Sequence, residues 1–130
     1  VNKLQNYVLV CIGAAAGGAA RYWTSNVVYK FLPTTMPFGT FIVNMVGSFI
    51  IGFVMFYLDS NELISPQMRI LLTTGFCGGL TTFSTFSFET INLIRDSEFL
   101  LAGTNIILNM VLSFAAVFLA YMFGKILTGG

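Results

Sequence analysis

Ionised side chains are so few and so unevenly placed in this chain that they dictate its fold before any finer pattern is considered. Six Lys/Arg and five Asp/Glu serve 130 residues, and there is no histidine. They leave four uncharged runs, at residues 4–20, 31–58, 70–88 and 99–124. About 20 predominantly apolar residues carry a helix across a hydrocarbon core. Four such passes use nearly the whole chain, which predicts an all-α integral membrane protein. The expectation is a single four-helix transmembrane domain over residues 1–130, with short loops and both termini on one side.

Composition closes off the alternatives. The chain is 56% hydrophobic and 8% charged, against roughly 25% charged in a soluble domain. A net charge of +1 gives no reason to expect a nucleic-acid or acidic soluble partner; the lipid bilayer is the expected surrounding. Without histidine, the commonest metal ligand and proton relay are missing. Cys11 and Cys77 fall inside predicted spans, where they read as small apolar side chains rather than a disulfide or zinc site.

The first helix is expected from about residue 4 to residue 31, ending before Pro33. Gly13 and Gly17, extended by Ala16 and Ala20, form a small-residue packing face. That favours a membrane helix over the cleaved signal peptide that Lys3 and the Ala/Gly-rich stretch also resemble. Arg21 is placed to snorkel to the interface or to line an aqueous mouth. The second helix is expected from about residue 37 to residue 58. On it Thr40, Asn44, Gly47 and Ser48 share one face. Asn44 reads equally as an interhelical hydrogen bond or as a pore-facing donor. On the fourth helix, from residue 99 to about 127, Asn105, Asn109 and Ser113 recur every four residues and form one polar stripe.

The third span is a poor plain anchor. Gly75, Gly78 and Gly79 weaken a helix and free backbone carbonyls. A third helix broken over residues 75–82 is therefore expected, and in hydrocarbon such a break survives only if buried in protein or lining a cavity. Beyond it, Phe83 and Phe86 form one stripe, Thr81, Ser84 and Ser87 a second, and Thr82 and Thr85 a third. Phenyl edges are electropositive, and hydroxyls and amides donate real hydrogen bonds. A full cation would hold an anion too tightly, whereas conduction needs moderate binding at several sites. The expected anion path is uncharged: Phe83, Phe86, Ser84 and Thr85, faced by Thr40, Asn44, Asn109 and Ser113. Freed carbonyls such as those of Gly78 and Thr81 suit a hard monovalent cation. Glu89 is either interfacial or an intramembrane acid, and the latter is functional by default.

Lys3, Arg69 and Lys125 fall on the terminal side of a four-helix chain; Arg21, Lys30 and Arg95 fall on the other. Orientation follows an excess of Lys/Arg in cytoplasmic loops, and here the two sides balance. The chain is expected to insert both ways and to pair as an antiparallel, dual-topology homodimer. Four helices are also too few to surround a pore alone.

The run Gly75-Phe76-Cys77-Gly78-Gly79-Leu80-Thr81-Thr82-Phe83-Ser84-Thr85-Phe86-Ser87 resembles the signature of the CrcB/Fluc fluoride ion channels. The resemblance extends over the whole chain, including Arg21, Asn44 and the helix 4 stripe. It implies passive fluoride efflux through two narrow pores in an antiparallel dimer of the bacterial inner (plasma) membrane. It further implies that Phe83, Phe86 and Asn44 line the pores, that Arg21 sits at the vestibule, and that the Gly78 and Thr81 carbonyls bind a structural sodium ion. The family's helix 4 pore serines match Asn109 and Ser113, and Asn109 departs from that pattern while keeping a donor. A small proton-coupled multidrug exporter is the alternative on length and topology, but it wants an acid on helix 1, and residues 4–20 hold none. An intramembrane serine hydrolase lacks a histidine or intramembrane lysine as base, so no enzyme is expected.

Overall fold

The computed structural model describes residues 3–129, and among them every regular element is helical. Helix α1 is Lys3–Phe31 and helix α2 is Phe38–Asp59, whose last turn and a half, Val54–Asp59, is π-helical. Helix α3 runs through Pro66–Ile70, a π-helical stretch Leu71–Cys77 and a final turn Gly78–Leu80. Helix α4 is Phe83–Arg95 and helix α5 is Phe99–Leu127. At 1.5 Å per residue, 29-residue helices such as α1 and α5 are about 43 Å long, more than a hydrocarbon core requires. By length and composition α2 and α5 both qualify as membrane spans.

Local chemistry sets the ends. Helix α1 stops two residues before Pro33, which disfavours helical geometry in the residue preceding it. The loop that follows is tied back by the Gly39 amide, which donates to the Tyr29 hydroxyl at 3.1 Å. Ser65 caps α3 by accepting from the Met68 amide at 3.1 Å, with Pro66 in the first helical position. Between α4 and α5, Ser97 adopts a left-handed conformation (φ 61°), and the Glu98 amide closes the turn onto the Leu93 carbonyl at 2.8 Å.

Packing is inverted relative to a water-soluble bundle. Small residues fill the interfaces: Gly13, Gly17, Gly75, Ala102, Ala116 and Ala120 are buried. Large apolar residues such as Leu4, Ile12, Phe114, Phe118 and Leu119 point outward, each 58% or more exposed. A water-facing surface does not carry apolar area on that scale, whereas hydrocarbon tolerates it and leaves close backbone packing to join the helices. Together with the long apolar helices, this makes the chain a membrane protein.

The α1/α3 seam is the tightest joint. A Cβ on Gly13 would sit 2.8 Å from the Phe76 amide nitrogen, and one on Gly75 would sit 3.0 Å from the Gly13 Cα. A Cβ on Gly17 would collide with the Phe76 carbonyl oxygen, and one on Gly79 with the Ala14 carbonyl oxygen. Two glycine pairs, each four residues apart, therefore interlock across the seam. This corrects one expectation. Gly75, Gly78 and Gly79 do not unwind α3: the segment stays helical, and the missing side chains of Gly75 and Gly79 are used for backbone approach to α1. Only Thr81 and Thr82 are extended (φ/ψ −87/158° and −153/119°).

Candidate functional site

The two extended threonines separate α3 from α4, and several of the groups freed there are taken up by specific partners. The Thr82 amide, which a continuous helix would aim at the Gly78 carbonyl, donates instead to Asn44 Oδ1 at 2.8 Å. The Thr85 amide leaves the Thr81 carbonyl and donates to Thr82 Oγ1 at 3.1 Å, capping α4. The Gly79 carbonyl accepts from Arg21 Nε at 3.0 Å. Arg21 is thus held, half-buried, against the end of α3 rather than extended toward an interface. The carbonyls of Gly78 and Thr81 are left without their helical amides, which fits hard-cation coordination by backbone oxygen. No group of three acidic, cysteine or histidine side chains suited to a metal occurs among the described residues.

From Asn44 a chain of side-chain hydrogen bonds runs through the interior. Asn44 Nδ2 donates to the Thr82 carbonyl at 3.3 Å and to Asn109 Oδ1 at 3.1 Å. Asn109 Nδ2 donates to Asn105 Oδ1 at 2.9 Å and to the Asn105 carbonyl at 3.1 Å. Asn105 Nδ2 donates to Thr90 Oγ1 at 2.9 Å, and Thr90 donates to the Phe86 carbonyl at 2.8 Å. Asn105, Asn109 and Thr90 are 1%, 5% and 5% exposed. Such a network is favourable in a low-dielectric interior because every member is paired. For Asn44 the two readings merge: its amide joins α2 to the α3/α4 junction and to α5, and it also borders an open space.

That space is a cleft of about 680 Å³ bordered by α2, α3, α4 and α5. It gathers most of the sequence-predicted residues: Asn44, Phe83, Phe86, Asn109, Ser113, Gly78 and Thr81. None of its lining residues is charged. The Phe83 and Phe86 rings stand 5.5 Å apart at 58°, with Phe83 70% exposed and Phe86 buried. The first turn of α4, with its partial positive charge, starts at this cleft. Thr40, Ser84, Thr85 and Arg21 do not border it. Thr40 is buried and faces Glu89; Ser84 is exposed, within 3.3 Å of the Thr82 hydroxyl; Thr85 pairs with Thr82. Glu89 opens on a second hollow, of about 510 Å³, near the α4–α5 loop with Tyr29, Asp96 and Glu98.

Three contributors were not singled out as site residues by the sequence reading. Thr82 caps α4 and presents its own backbone to Asn44; a hydroxyl three residues before the Thr85 amide is the usual capping signal. Asn105 belonged to the visible polar stripe, but nothing in the pattern separated it from its neighbours. Thr90 carries no pattern at all.

Fold and site together define a small all-helical membrane protein built around an uncharged, polar and aromatic cleft. A family model described as CrcB-like protein, Camphor Resistance (CrcB) matches residues 8–121, and the chain belongs to that family. It is similar to the fluoride-specific ion channel FluC of Clostridium novyi (strain NT), 45% identical over 97% of this chain and 98% of the relative. It is also similar to the proteins of that name from Pyrococcus abyssi, 42% identical over 95% of this chain and 98% of the relative, and from Geotalea uraniireducens, 40% identical over 95% and 100%.

Proposed function

We propose that this chain is the subunit of a fluoride-selective channel that lets the ion leave the cell passively, a transporter and not an enzyme. The observation that carries the reading is the cleft: Phe83, Phe86, Asn44, Asn109 and Ser113 meet around a space with no charged lining. The names of its relatives support the choice of ion. The working form is an antiparallel, dual-topology homodimer with two pores, multi-pass in the bacterial inner (plasma) membrane. The balance of Lys/Arg between the two sides of the chain supports it, and so does a cleft that a second copy would close.

Fluoride is small and strongly hydrated, so the pore must replace its water with donors at close spacing. Ser113 offers a hydroxyl that has no hydrogen-bond partner among the described residues. The Asn44 amide proton now given to Asn109 at 3.1 Å is the one for which an arriving ion competes. The edges of Phe83 and Phe86 favour an anion without trapping it. The Gly78 and Thr81 carbonyls are the oxygens that would hold a structural sodium ion, whose positive charge would join the two α3/α4 junctions across the dimer.

The test is efflux from liposomes followed with fluoride and chloride electrodes. Fluoride release without proton gradient or ATP, and no chloride release, is expected. Vesicles that stay sealed to fluoride would retire the proposal.

A further inference from the structure

The hydrogen-bond chain between Thr82 and Phe86 has a fixed direction, and the direction is set at its ends. A backbone amide only donates, so the atom of Asn44 facing the Thr82 N–H is the oxygen, and Nδ2 faces Asn109. The Asn109 atom receiving that proton is therefore Oδ1. Its nitrogen then faces the Asn105 carbonyl and side-chain oxygen, at 3.1 and 2.9 Å. Asn105 Nδ2 must point at Thr90, whose own proton goes to the Phe86 carbonyl. Each amide orientation is forced by its neighbour, without any free choice of flip.

We infer that Asn105 is a positioning residue of the permeation path: with Thr90 it holds the Asn109 carboxamide firmly in the orientation that offers Asn44 an acceptor, and so steadies the Asn44 amide donor at the cleft. Asn105 is 1% exposed and does not border the cleft, so it acts only through Asn109. Without its side-chain oxygen, Asn109 Nδ2 keeps only the longer bond to the Asn105 carbonyl, at 3.1 Å, and the carboxamide is held less firmly. A loosened Asn109 carboxamide is a poorer acceptor for the Asn44 donor that rests on it. This deepens the channel reading and rests on it for its flux readout alone. A hydroxyl at position 109 would need no such alignment, because its proton rotates freely between donor and acceptor roles.

The experiment is a double-mutant cycle in the liposome efflux assay, combined with side-chain amide resonances of ¹⁵N-asparagine-labelled dimer in detergent. Asn105→Leu is expected to slow fluoride efflux about tenfold in the wild-type background, as loss of an aligned buried hydrogen bond allows. In an Asn109→Ser background the same change is expected to alter efflux less than about twofold. Thr90→Val, which removes only the far acceptor, should follow the same pattern at about threefold and serves if Asn105→Leu does not fold. The Asn44 side-chain amide resonance, assigned by its loss in Asn44→Asp, should move in Asn105→Leu and in Thr90→Val. Equal slowing in both backgrounds, or none in either, would overturn the inference. If wild-type vesicles release no fluoride, the channel reading falls by itself. The amide resonance then decides the positioning role: a shift upholds it and an unmoved signal overturns it.

Discussion

Asn44 grips both backbone polar groups of Thr82: its Oδ1 accepts from the Thr82 amide at 2.8 Å and its Nδ2 donates to the Thr82 carbonyl at 3.3 Å. One carboxamide on α2 thereby stands in for the helical hydrogen bond that the Thr82 amide gives up. The α3/α4 junction is thus held from outside its own helix, by a side chain 38 residues earlier.

Removing that grip should cost more than removing the cap beside it. Asn44→Leu leaves the Thr82 amide and Asn109 Oδ1 unpaired, at about 1–3 kcal/mol for each buried group. Thr82→Val loses the capping hydroxyl, at about 1 kcal/mol, but keeps the backbone contacts to Asn44. Thermal unfolding in detergent should rank wild type above Thr82→Val above Asn44→Leu, and fluoride efflux should be lost in Asn44→Leu. A reversed order would mean that the capping hydroxyl, not Asn44, maintains the junction.

Neighbouring glycines on α1 should respond with opposite sign. A Cβ at position 17 would lie 2.8 Å from the Leu80 amide nitrogen, while nothing lies within 4 Å of one at position 18. Gly17→Ala forces the α1/α3 backbones apart, and overpacking of this kind costs about 1–3 kcal/mol. Gly18→Ala gains helix propensity of about 1 kcal/mol with no clash. Melting temperatures should therefore fall for Gly17→Ala and hold or rise for Gly18→Ala. Equal responses would show that the seam is looser than its geometry.

The two phenylalanines should separate stability from permeation. Phe86 is 7% exposed and Phe83 is 70% exposed within one chain. Phe86→Ile should destabilise the fold by about 1 kcal/mol, while Phe83→Ile should stay within about 0.5 kcal/mol. Both should stop fluoride efflux, because both rings border the cleft. If efflux followed stability, only Phe86→Ile would lose it, and the ring pair would be packing rather than path.

Much of this was legible in the residues because membrane insertion simplifies the problem. Uncharged runs bounded by Pro33, Ser65-Pro66 and the Arg95–Glu98 loop fixed the helices: α5 was expected from residue 99 to about 127 and spans Phe99–Leu127. The stripe of Asn105, Asn109 and Ser113 was visible by spacing alone, and its upper two members do join Asn44. The glycines of α3 were ambiguous, since a missing side chain both loosens a helix and admits a neighbour. Only the position of Gly13 against Gly75 decides which effect wins. Arg21 was equally undecidable. A lone arginine near a helix end suits snorkelling until a carbonyl, here that of Gly79, is found within its reach. Hydrogen-bond direction, the property that ties Thr90 to Asn44, has no sequence signature at all.

Orientation offers the sharpest test of the proposed assembly. The terminal side of the chain carries Lys3, Arg69 and Lys125, and the opposite side Arg21, Lys30 and Arg95, so small changes should tip the balance. Ser60 and Leu63, in the α2–α3 loop, and Thr34 and Thr35, in the α1–α2 loop, are all exposed. Ser60→Lys with Leu63→Lys adds two charges to the terminal side and should commit every copy to one orientation. Thr34→Lys with Thr35→Lys should commit every copy to the other. Each double variant alone should insert yet give cells that retain fluoride, because an antiparallel pair needs both orientations. Co-expression should restore efflux, and labelling of single cysteines in the loops should report opposite sidedness for the two variants. Full efflux from either variant alone would mean that parallel copies, or a single chain, form the path, and the antiparallel dimer would have to be given up.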